Sequence, residues 1–129
     1  DHALVLAVPN GMLYGKPWVA EFKWPATAWD NGSTNSGPLW SGTRLGIPAG
    51  TPMPAGLSPL GQMMFKALQQ YGAFVGDSCG GPWPMFYADR LTVQDAQVAP
   101  LFAFWDHGGS SDMEKIGPLL RVAGYQPTS

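Results

Sequence analysis

The stretch Ser58-Pro59-Leu60-Gly61-Gln62-Met63-Met64-Phe65-Lys66-Ala67-Leu68-Gln69-Gln70-Tyr71-Gly72 decides how the rest of the chain is read. The Ser58 hydroxyl can accept from the open N–H groups of a first helical turn, and Pro59 suits the first helical position, where no N–H is needed. Leu60, Met63, Met64, Ala67, Leu68 and Tyr71 recur at i, i+3, i+4, i+7, i+8 and i+11, a one-sided apolar stripe. Gly72 takes the left-handed backbone that closes a helix at little cost. Position 61 carries no acid or amide, so a reciprocal capping box is absent. These signals predict one amphipathic helix over residues 58–72.

Outward from this helix the chain is broken by turn formers. Seventeen Gly and thirteen Pro in 129 residues argue against a helical bundle and for short strands joined by loops. Residues 3–8 (Ala-Leu-Val-Leu-Ala-Val) form a continuous apolar run stopped by Pro9-Asn10-Gly11, which reads as a strand buried on both faces. Residues 18–24 alternate in part, with Trp18, Ala20, Phe22 and Trp24 on one face. Residues 30–38 and 78–84 read as loops, and 46–56 as a connector without periodicity. Short strands are expected at 39–45, 73–76, 85–87, 101–105 and 119–123. Ser111 and Glu114 read as a capping pair for a short C-terminal helix, limited by Gly117-Pro118. The expected fold is mostly β, a sandwich or jelly-roll-like pair of sheets, with the 58–72 helix across one face or edge. No repeat or second domain is visible in residues 1–129.

Charged residues make up only 12% of the chain, about half the usual share. A surface of Ser, Thr, Asn, Gln, Gly and Trp is commoner in exported proteins. Net charge is −2, and the seven Lys and Arg residues are spread singly, so the basic stripe a nucleic-acid partner needs is missing. No apolar run has the length of a membrane span. The single cysteine, Cys79, leaves no intrachain disulfide. The chain opens on Asp1 rather than Met and runs directly into a strand. It is therefore expected to be the C-terminal part of a longer or two-chain protein.

Candidate chemistry centres on His2, before the first strand, and Asp77, after the strand that follows the helix. Together they would form an acid–imidazole couple, against the plainer roles of capping turns. Asp106-His107 is a second such pair in a Gly-rich loop. No His, Cys or carboxylate pair has metal-ligand spacing, so neither a metal nor another cofactor is expected. Cys79, in Asp-Ser-Cys-Gly-Gly, reads as an incidental thiol. A glycosidase needs two carboxylates across a cleft, and Asp77 with Asp106 or Glu21 is the best available pairing. Asp112 and Glu114 read as acids of a helix N-terminus. Six Trp residues are several times the ordinary share. Trp18, Trp24 and Trp105 read as core or loop packing, whereas Trp29 and Trp83, in polar loops, could stack on sugar rings. Tyr87 and Arg44 complete the candidate binding set.

The order of motifs resembles a group of secreted bacterial proteins, mostly uncharacterised. The likeness rests on His2-Ala3-Leu4, Trp24-Pro25-Ala26, Gly42-Thr43-Arg44-Leu45 and Leu57-Ser58-Pro59. It continues through Ala67-Leu68-Gln69-Gln70-Tyr71-Gly72-Ala73-Phe74-Val75 to Asp77, and then Asp112-Met113-Glu114-Lys115-Ile116 with Leu120-Arg121-Val122. The resemblance implies export and association with an extracellular polymer. Members usually carry further sequence before the His-Ala-Leu motif. Many also have Asn-Gly after the aspartate, where Ser78-Cys79 stands here. Two functions follow as expectations. One is an extracellular carbohydrate-active domain, a glycoside hydrolase-like enzyme or a binder of a polysaccharide or cell-wall glycan. The other is a structural subunit without catalysis, whose open first strand is completed by a second chain.

Overall fold

A computed structural model describes residues 4–13, 35–86 and 110–123, with the isolated positions 26 and 100. The expected strands 18–24 and 101–105 lie outside these residues, as do His2, Trp29, Tyr87 and Asp106. Among the described residues the strands form one mixed sheet of five: β1 (Leu4–Pro9), β2 (Arg44–Gly46), β3 (Ala73–Cys79), β4 (Met85–Phe86) and β5 (Arg121–Val122), in the order β4-β1-β3-β2-β5. The described residues include the helices α1 (Pro59–Gln70) and α2 (Ser110–Ile116).

The middle of the sheet is a parallel pair, β1 with β3, and every other pairing is antiparallel. Parallel strands need a crossover, and here it carries β2 and α1. β1 is therefore not the open strand the sequence suggested: β3 and β4 flank it on both sides. Nor is it buried on both faces throughout. Leu6, Ala7 and Val8 are buried, while Val5 is 43% exposed.

Paired residues in neighbouring strands share a face. One face carries Leu6, Val8, Leu45, Ala73 and Val75. Phe65 and Leu68 of α1 and Met113 and Ile116 of α2 pack into the same core. Burying each of these large side chains contributes about 1.5–3 kcal/mol.

The helix begins as expected. Ser58 is the N-cap, its Oγ accepts from the Gly61 N–H at 3.1 Å, and Pro59 occupies the first position. It ends at Tyr71 and Gly72, whose φ of 77° only glycine adopts easily. Its buried stripe is rotated from the expected one. Leu60, Gly61, Met64, Phe65 and Leu68 face inward, and Met63 is 54% exposed. The cause is α2. Asp112, only 3% exposed, lies against Gly61, where an added Cβ would stand 2.5 Å from the carboxylate carbon. Asp112 accepts from the Ser58 N–H at 2.9 Å and from the Ser58 hydroxyl at 2.5 Å. Asp112 lies in the first turn of its own helix, as read, and also binds the N-terminus of the other one. Lys115 adds a bond from Nζ to the Gly56 carbonyl at 3.1 Å.

Several boundaries moved. The strand expected over 39–45 is Arg44–Gly46, with Leu39 in an isolated parallel bridge to Leu13. The strand expected over 73–76 continues to Cys79, and α2 starts one residue before Ser111. The final strand shrinks to Arg121–Val122, after a 3₁₀ turn at Gly117–Leu119.

Candidate functional site

The local sequence Val75-Gly76-Asp77-Ser78 would point Val75 and Asp77 to the same side of a regular strand. Val75 is 1% exposed and belongs to the core, so a regular strand would drive the Asp77 carboxylate into that core as well. The pairing avoids this. Leu6 pairs with Val75, but Ala7 pairs with Asp77, and the register slips by one residue at Gly76. Gly76 is the extra residue of a β-bulge, and the bulge turns Asp77 onto the face of Val5, Ala7 and Phe74. A Cβ on Gly76 would come within 3.0 Å of the Val5 side chain, so the slot is narrow.

By the same register Arg44 pairs with Phe74 and shares this second face. Asp77, Phe74 and Arg44 are all partly exposed there. Asp77 Oδ1 accepts from the Ser78 N–H at 2.8 Å, which fixes the carboxylate at the strand's end. The Arg44 guanidinium donates from Nε and Nη2 to the Tyr71 carbonyl at 3.0 and 2.6 Å, and so holds the end of α1. Phe74 escaped the sequence reading, because a Phe inside an apolar run looks like core.

Other segments gather at the carboxyl ends of β1 and β3. Asn10 N–H bonds the Cys79 carbonyl at 3.2 Å, and Ser36 N–H bonds the Asn10 carbonyl at 3.1 Å. Gly37 fits so closely against Met12 that a Cβ would overlap its backbone. Cys79 Sγ donates to the Trp83 carbonyl at 3.4 Å, the plain structural contact expected of an incidental thiol.

The predicted residues are only partly brought together. Asp77 and Arg44 share a face, separated along β3 by its length from Phe74 to the bulge. Trp83 packs against the core on the other face, beside Gly117, and anchors its loop rather than standing free. Of the expected His2–Asp77 couple only Asp77 lies within the described residues. Among the described residues no group of three His, Cys, Asp or Glu side chains could hold a metal ion. No described helix is long and apolar enough to cross a membrane. Comparison with family models, with curated proteins and with solved structures gives no match.

Proposed function

We propose that this chain is an extracellular carbohydrate-active domain that engages a glycan on the sheet face of Asp77, Phe74 and Arg44. The observation that carries the reading is the bulge at Gly76, which turns a carboxylate out of the core and onto a face with a half-exposed aromatic ring. Bulges often re-aim a side chain beside a functional site. Sugar recognition needs this combination: an apolar surface for the ring's C–H face and charged groups for its hydroxyls. Export, a bacterial source and a sandwich or jelly-roll-like arrangement of sheets belong to the same proposal. Hydrolysis would require a second carboxylate opposite Asp77, and Asp106 or Glu21 would have to supply it. The subunit completed by a partner chain loses its main support, since β1 is interior to the sheet.

The test is a screen of the purified chain against soluble and insoluble polysaccharides, reading both retention and released sugars. Wild type should be retained by at least one glycan. Asp77→Asn and Phe74→Ala should lose that retention while keeping the circular dichroism of the folded chain. Retention by none of the glycans, or retention unchanged in Asp77→Asn, would remove the proposal.

A further inference from the structure

At the other end of β3 the sheet carries a second arrangement. β2 and β5 pair Gly46 with Arg121, and the Ala123 N–H bonds the Arg44 carbonyl at 2.9 Å. Arg44 and Arg121 are therefore diagonal neighbours across two strands, a separation of about 7–8 Å that long side chains can span. Gly46 and Ala123 stand between them on that face, and the Leu68 carbonyl and Gly72 pack closely on Gly46. A cavity of about 200 Å³ lies alongside, bounded by both arginines and by Ile47, Leu68 and Val122.

Two guanidinium groups at one cavity ordinarily meet carboxylates. Here none of the lining residues is acidic. Arg44 spends Nε and one Nη2 hydrogen on the Tyr71 carbonyl, and Arg121 spends Nη1 on the Pro118 and Leu120 carbonyls, both at 2.8 Å. Each guanidinium carries five N–H donors, so both keep donors in hand while their planes are held by the carbonyls. The carboxyl end of α1 offsets part of the Arg44 charge through the Tyr71 carbonyl, whereas Arg121 is bound to carbonyls of its own segment and adds its charge at the cavity.

We infer that this cavity is a binding site for an organic carboxylate. The planar guanidinium fork matches a carboxylate in two parallel bonds. The exposed Val122 side chain at the rim, 57% accessible, calls for a ligand with a hydrocarbon or ring face rather than a bare inorganic anion. Size agrees, since a cavity of about 150 Å³ already accepts a benzene ring. The same chemistry could come from a free ring acid or from a uronic acid residue of a glycan. The pocket shares Arg44 with the proposed glycan face but not Asp77 or Phe74, and its test through Arg121 reads it separately from the glycan reading.

Calorimetric titration of the whole chain tests it with four probes and a control anion: glucuronate and cyclohexanecarboxylate, their uncharged counterparts glucose and cyclohexanecarboxamide, and inorganic phosphate. At least one carboxylate should saturate a single site, with its uncharged counterpart binding far more weakly. Arg121→Gln, an exposed change whose lost contacts are local, should weaken that binding roughly ten- to a hundredfold. Lys115→Gln, which removes a cation elsewhere, should leave it unchanged. Binding of glucuronate alone supports the site and names the source as a uronate; binding of cyclohexanecarboxylate alone supports it and names a free acid. No saturable carboxylate binding, phosphate bound more tightly than either acid, or binding indifferent to Arg121→Gln overturns the inference.

Discussion

Replacing Gly61 by alanine should destabilise this protein, although the same change in a helix usually does the reverse. Alanine is favoured over glycine in a helix interior by about 1 kcal/mol. At position 61, however, the new Cβ would meet Asp112 Cγ at 2.5 Å and its oxygens at 2.6 and 2.7 Å. Ordinary contact begins near 3.4 Å, so the carboxylate must retreat by about an ångström. That retreat breaks its bonds from the Ser58 N–H and hydroxyl, each a charge-assisted bond contributing about 1.5–3 kcal/mol. The loss outweighs the propensity gain, and the net should be about 2–4 kcal/mol, or on the order of 10 °C in Tm for a chain of this size. Urea unfolding followed by circular dichroism measures it directly. The decisive control is the same change in an Asp112→Ala background. With no carboxylate to displace, Gly61→Ala should become neutral or stabilising there. If Gly61→Ala stabilises the wild-type chain, the contact between Asp112 and the start of α1 is wrong.

Two further substitutions probe the same frame by unfolding measurements. Gly72→Ala combines a φ of 77° with a Cβ placed 2.6 Å from the Leu45 carbonyl, and should cost at least about 2 kcal/mol; a loss under about 0.5 kcal/mol would contradict the helix ending described. Phe65→Ala should cost about 3–5 kcal/mol because the ring is 2% exposed, whereas Met63→Lys, at 54% exposure, should change stability by less than about 0.5 kcal/mol. The reverse ranking would restore the stripe read from spacing alone.

What could be read from the sequence was whatever a few adjacent residues decide. The ends of α1 were legible because Ser58, Pro59 and Gly72 act within one turn of themselves. Its facing was not, since the side that turns inward depends on α2, which is distant in sequence and presses against a position with no side chain. Asp112 carries the same lesson: its place in the first turn of its own helix is legible locally, and its bonds to Ser58 are not. The full length of β3 is not legible because residues 78–84 read as a loop, while pairing with β1 keeps Ser78 and Cys79 extended. Asp77 was picked out as a candidate, but not the bulge that aims it, because a register slip belongs to two strands at once. Arg44 was chosen as a ligand group, and its grip on the Tyr71 carbonyl needed the folded chain to be seen.

The placement of β1 has a consequence for how the molecule is made. Both neighbours of this strand, β3 and β4, are synthesised after it, and neither can join it before the crossover with β2 and α1 has been laid down. Leu4 through Val8 must therefore wait as an unpaired apolar segment while more than half of the chain emerges. Closing such a long loop is entropically costly and slows folding relative to a hairpin-built sheet. During that interval the segment is open to pairing with other chains. Refolding yield should fall with protein concentration earlier than stability alone would suggest, and a chaperone that shields Leu4–Pro9 would raise it.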